Sequence, residues 1–272
     1  MKRNANEMYF QLIALLMGFS LIHAIFVTVV RPNAESAIRQ QVERAAAGEP
    51  YIVPRSFYVV IKDVEQEACF VLMFWAFAIM GYKTRVLLRE ESMFEKHLIA
   101  AHEGARILVE DTAQFTASLR SLPQDERRLL LPRVLDAALL RFQTTANVQS
   151  ANDAVSAACM SESERLDSEL SMIRYITWAI PSIGFIGTVR GIGGALAQAH
   201  KAMEGDLAGI TSSLGVAFNS TFVALLISMF VMFFMHQLQL MQERLVLDLS
   251  LIHISEPTRP LYSSYAVFCL KK

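Results

Sequence analysis

Between Pro181 and Ala195 the chain places glycine at 184, 187, 191 and 194, inside a run apolar enough to cross a membrane. Steps of three, four and three residues bring Gly184, Gly187, Gly191 and Gly194 to one face of an α-helix and leave that face almost without side chains. In lipid, where the acyl chains are as apolar as leucine, a bare face is how two backbones come close enough to pack. The stretch predicts a membrane helix with Pro181 at one end, a glycine stripe and a buried threonine, in contact with other helices. A chain built around it is a component of a membrane-embedded assembly.

Three further runs support a polytopic, all-α membrane protein. Crossing the hydrocarbon core takes about 20 apolar residues in helical form. Residues 9–30 contain no formal charge, follow Lys2 and Arg3, and lack the small-residue cleavage site of a removable signal peptide. Residues 68–82 form a shorter run that Val86, Leu87 and Leu88 extend if Lys83 and Arg85 snorkel. The glycine-bearing run covers 172–199, and 214–235 interrupts its apolar sequence only with Asn219, Ser220, Thr221 and Ser228. Four spans are expected. Hydrophobic residues make up 53% of the chain and net charge is −1, so no basic field points to nucleic acid. Cys69, Cys159 and Cys269 form no spaced pair, which leaves neither a disulfide framework nor a metal cage, and no cofactor is expected. No paired-carboxylate, His/Cys or Ser/His constellation suggests an enzyme.

Lysine and arginine near helix ends set orientation. Lys2 and Arg3 precede the first run, and Lys83, Arg85 and Arg89 follow the second. Asp63, Glu65 and Glu67 lie on the other side of it. Both chain ends and the segment 83–171 are therefore expected in the cytoplasm. Within that segment Leu130, Leu131, Val134, Leu135, Ala138, Leu139 and Phe142 follow helical spacing, and Ser121 ahead of Pro123, Asp125 and Glu126 reads as a helix start. The domain plan is then an N-terminal membrane region 1–82 with an external loop, a helical cytoplasmic region 83–171, and a channel-like region 172–240. Residues 253–272 have neither helical nor strand period and resemble translated sequencing-adapter read-through. They are set aside as a non-native tail, and the natural chain is expected to continue past about residue 252.

A path for ions through hydrocarbon needs polar groups on the bundle interior. None of the four runs contains Asp or Glu. The candidates are His23, Thr188, Arg190 and the trio Asn219, Ser220 and Thr221. Threonine hydroxyls line a path and orient water but do not hold and release a proton at neutral pH, so a protonatable carboxylate is expected from another chain. Each candidate also has a plain structural alternative. Thr188 and Thr221 can bond to the carbonyl four residues back. Arg190, about 24 Å along a helix from Arg174, can reach the far headgroups. His23 can be a satisfied polar contact.

The sequence Ile180-Pro-Ser-Ile-Gly-Phe-Ile-Gly-Thr-Val-Arg-Gly-Ile192 resembles the signature helix of the MotA/TolQ/ExbB proton-channel family. On the next run Ala217-Phe-Asn-Ser-Thr221, followed by Ala224-Leu225, resembles the family's Ala-Leu-x-x-Thr-x-x-Gly-Leu pattern. The two motifs fall in order on adjacent predicted spans. The resemblance implies that Thr188 and Thr221 line the ion path, and that the chain forms a homo-oligomer, usually a pentamer, around a dimer of single-span partners. Each partner carries a protonatable aspartate, and flow down the proton-motive force drives mechanical work or protein transport at a bacterial inner membrane. Val216 stands where some members carry glutamate, and Ala224 replaces the usual glycine, so no subfamily is assigned. The alternative is a non-conducting membrane scaffold assembled through the glycine-rich helix.

Overall fold

The computed structural model describes residues 2–47, 56–94, 96, 106–107, 109–202, 207–251 and 266–267. Helix α1 (Lys2–Ile25) continues through a π-helical turn (Phe26–Val30) into α2 (Arg31–Ala46). There follow α3 (Phe57–Ile61), α4 (Val64–Glu91), α5 (Thr112–Ser121), α6 (Gln124–Arg127), α7 (Leu130–Thr145) and α8 (Val148–Glu169). The chain then runs through α9 (Ser171–Ala197), α10 (Ala199–Ala202) and α11 (Ala208–Leu251). Two-residue strands Arg106–Ile107 and Ala266–Val267 pair antiparallel. The remainder of the tail 253–272 lies outside the described residues.

Four stretches of helix are long and apolar enough to span a membrane: Glu7–Arg44, Val64–Glu91, Val148–Ala197 and Ala208–Ser250. Helix α11 alone, with 44 residues, is about 66 Å long, roughly twice the hydrocarbon thickness. The chain divides into two compact units, one of Met1–Gly81 with Ser171–His236, the other of Tyr82–Leu170 with Gln237–Lys272.

The first unit turns large apolar side chains outward, among them Leu16 and Met17 of α1, Trp178 and Val189 of α9, and Phe218 and Phe222 of α11. So much exposed apolar surface is costly in water and is what lipid-facing helices carry. Indole Nε1 of Trp75 donates to the carbonyl of Gln11 (2.9 Å) and ties α4 to α1. One expectation is corrected here. The second span does not start at residue 68: α4 begins at Val64 and takes Glu65 and Glu67 into its first turn. Acidic side chains are favoured beside the unpaired amides and positive dipole end of a helix, so the helix starts before its apolar run. A membrane-spanning helix of this chain thus does carry carboxylates.

In the second unit α7 buries all seven residues whose spacing marked it, Leu130 through Phe142, and packs against α5 and α8. Phe142 (1% exposed) and Ala151 (0%) form a core joined by Val109. Helix α7 ends on Ala146 in the left-handed conformation (φ 47°), and the Asn147 side chain then caps α8 by accepting from the Gln149 amide (2.8 Å). The start of α7 is capped from afar: Glu90 Oε2 accepts from the Leu130 amide (2.7 Å). Ser121 is not a helix start. It is the last residue of α5, its hydroxyl donates to the Ser118 carbonyl (2.6 Å), and α6 begins after Pro123 with Asp125 and Glu126 in its first turn. Pro123, with its fixed φ, makes that entry without a side-chain cap. Lys83 does not snorkel either. It is buried, with Nζ 2.6 Å from Glu169 Oε2, because an ammonium withdrawn from water requires a charged partner.

Candidate functional site

The glycine face of α9 packs on α11 within the same chain. A Cβ added to Gly184 would stand 2.5 Å from the Cβ of Ala224, and one on Gly187 would stand 2.5 Å from the Cβ of Ser220. At Gly191 it would meet the amide nitrogen of Ala217 at 2.6 Å and the Ser213 carbonyl oxygen at 2.7 Å. Those approaches leave no room for a methyl group. Gly194 is different, since its nearest neighbour would be Ser213 Oγ at an ordinary 3.4 Å. Three of the four glycines therefore set the helix separation, and the receiving surface on α11 is itself made of small residues, Ala217, Ser220 and Ala224.

Pro181 lies inside α9 and not at an end of the helix. Proline has no amide hydrogen, so the carbonyl of Thr177 loses its usual donor four residues on. Ser228 of α11, buried, supplies one: its hydroxyl donates to the Thr177 carbonyl oxygen (3.3 Å). This repair explains a serine in the most apolar run of the chain. Ser228→Ala is expected to leave that carbonyl unsatisfied and lower stability by about 1–2 kcal/mol, read as a lower melting temperature of the detergent-solubilised protein. An unchanged melting temperature would remove the serine from this role.

Beyond the proline, the hydroxyls of Thr188 and Thr221 are hydrogen-bonded to each other across the α9–α11 contact. Thr188 Oγ1 also lies 3.2 Å from the Gly184 carbonyl oxygen and 3.1 Å from that of Ala217. Thr221 Oγ1 faces the same two carbonyls at 3.4 and 3.5 Å. Both side chains are half-buried, so this pair of hydroxyls is held by the helices and still open on one side. Such an arrangement orients water or a passing polar group without itself storing a proton. Ser220, buried, is drawn to a different neighbour, as its Oγ accepts from Gln66 Nε2 (3.4 Å). Asn219 is half-buried and is not brought into the cluster.

The first turn of α4 adds polar groups that in the sequence mark only orientation. Glu67 is buried, with Oε1 2.6 Å from His23 Nδ1 and Oε2 bonded to Arg31. His23 and Arg31 are eight residues apart, which in unbroken α-helix turns their side chains about 80° from one another; the extra residue of a π turn reduces this to about 20°. The π turn at Phe26–Val30 is what lets both reach one carboxylate. His23 is thus a satisfied polar contact. Arg190 stays exposed, as a side chain that reaches headgroups does, and is at the same time paired with α4. Its Nε lies 2.6 Å from Glu65 Oε1 and its Nη2 2.7 Å from Glu65 Oε2, a two-point ion pair that α4 makes possible by starting early. The signal for this cluster was present in Asp63-Val-Glu65-Gln66-Glu67, an acidic run abutting an apolar one. Only its partners, distant in sequence, were hidden.

Glycine-mediated helix contacts, a repaired proline and paired threonines define a polytopic membrane protein whose helices present an organised polar site. The model of the MotA/TolQ/ExbB proton channel family matches residues 126–250. The matched region, a little under half of the chain, includes α9 and nearly all of α11. No curated protein and no solved structure matches the chain.

Proposed function

We propose that this chain is the ring-forming subunit of a proton-driven motor or energiser in a bacterial inner membrane, with residues 83–171 on the cytoplasmic side. Five copies surround a dimer of single-span partners, and an aspartate on each partner helix takes up and releases the proton beside Thr188 and Thr221. Ion flow down the proton-motive force is coupled to mechanical work or protein transport. The observation that carries this reading is the paired, half-buried Thr188 and Thr221 hydroxyls within the region matched by the proton-channel family. The two carboxylates in the first turn of α4, Glu65 and Glu67, are engaged by Arg190 and by His23 with Arg31, which supports a mobile proton carrier on another chain.

Native mass spectrometry of the protein co-expressed with a co-encoded single-span protein tests the assembly. Five copies with two partners are expected. A stable particle that never retains the partner would favour the scaffold reading, in which the glycine face only builds a helical ring.

A further inference from the structure

Gln66 is fully buried in the first turn of α4, in the same unit as the threonine pair. Each polar atom of its amide is engaged. Oε1 accepts from the Asp63 backbone amide (2.8 Å), while Nε2 donates to the Val60 carbonyl (3.0 Å) and to Ser220 Oγ on α11 (3.4 Å). The first contact closes a capping box, because Asp63 immediately precedes α4 and Gln66 is the third residue of that helix. The second satisfies a carbonyl that α3 leaves open at its end. Glutamate closes a capping box as glutamine does, and the chain has Glu65 and Glu67 on either side. Only an amide also donates twice, so capping alone does not explain Gln66.

Ser220 is the point at which the rotation of α11 is set. It is 1% exposed, and its Cβ lies 2.5 Å from where a Cβ on Gly187 would stand. Successive residues of an α-helix are turned about 100° from one another, so fixing the direction of Ser220 also fixes that of Thr221. The α9–α11 contact is built from glycine, alanine and serine and lacks the large side chains whose ridges hold two helices in rotation. A directional hydrogen bond from Gln66 supplies that restraint. Glu65, the preceding residue, does the same for α9. It is paired with Arg190, two residues beyond Thr188, and its Cγ lies 3.3 Å from the position of a Cβ on Gly187. Consecutive residues of α4 thus hold both helices beside the two threonines.

We propose that Gln66 is a positioning residue for the Thr188–Thr221 pair and, on the reading that this pair lines the ion path, that proton flux depends on it. Gln66 bonds to neither threonine. Through Ser220 its amide holds α11 at the rotation that brings the two hydroxyls together.

The test uses the full-length protein co-expressed with its co-encoded single-span partner, carrying Cys69→Ala, Cys159→Ala and Cys269→Ala. Thr188→Cys and Thr221→Cys are added, and the rate of disulfide formation between them under copper phenanthroline reads how the two positions face each other. Gln66→Met removes the amide at nearly constant length. Ser220→Ala removes only the acceptor and leaves the cap and the Val60 bond in place. Each is expected to slow cross-linking by about fivefold, and the double variant no further, because both break one contact. A cap that serves stability alone would lower the melting temperature of Gln66→Met and leave cross-linking at its normal rate. Normal cross-linking in Ser220→Ala, or losses that add in the double variant, would overturn the positioning role. With both threonines restored, proton flux into liposomes is expected to fall by a similar factor in the same variants. Full flux despite slowed cross-linking would overturn its dependence on the setting of the pair. A wild-type complex that passes no protons would count against the proposed function, and cross-linking would still decide the positioning.

Discussion

Gly191→Ala is expected to unfasten α9 from α11. The added methyl group would lie 2.6 Å from the Ala217 amide nitrogen, 2.7 Å from the Ala217 Cβ and 2.7 Å from the Ser213 carbonyl oxygen. Two of those three atoms are backbone, so no side-chain rotation relieves the clash and the helices must separate. Overpacking that side chains absorb costs about 1–3 kcal/mol, and displacement of a backbone puts this variant at about 3 kcal/mol or more. Gly193 is the internal comparison, since a Cβ there meets nothing within 4 Å. Gly193→Ala removes a poor helix former and is expected to be neutral or stabilising by up to about 1 kcal/mol. Thermal melting and size-exclusion profiles of the two variants in one detergent make the comparison. Equal stability in both would show that the close approach at Gly191 does not hold the helices together.

Thr221→Val is expected to cut partner-dependent proton flux by at least tenfold while leaving the protein folded and assembled. Valine keeps the volume and branching of threonine and deletes only the hydroxyl. Thr188 retains the carbonyls of Gly184 and Ala217, so no buried donor is left without an acceptor. The structural cost is limited to about 1 kcal/mol for a lost hydrogen bond at a half-buried site. Any large loss of flux must then come from the path and not from the fold. Normal flux in a fully assembled Thr221→Val complex would remove the threonine pair from conduction and leave it a packing contact.

Local periodicity carried most of the architecture. Glycines at 184, 187 and 191 marked the face that meets α11, and the seven apolar residues from Leu130 to Phe142 marked the buried face of α7, because both patterns are repeats of a single helix. The features that escaped are pairings between distant segments. Ser228 looked like an isolated polar residue, yet its purpose is set by Pro181 on another helix. Lys83 looks free to reach the headgroups, but Glu169 holds it in the interior, and exposed Arg190 has a partner in Glu65. In the sequence Glu67 marks only topology, because its partners, His23 and Arg31, reach one side only through a π turn that no sequence period announces. The threonine pair sits between these cases: the resemblance singled out Thr188 and Thr221, and only the helix contact shows their hydroxyls bonded to each other over shared carbonyls.

The most direct measurement is proton uptake into liposomes containing this protein, with and without its co-encoded single-span partner, under an imposed membrane potential. Flux that requires both chains and disappears when the partner's membrane aspartate becomes asparagine is the expected result. A well-formed complex that passes no protons under that potential would contradict the channel reading and leave the chain a scaffold.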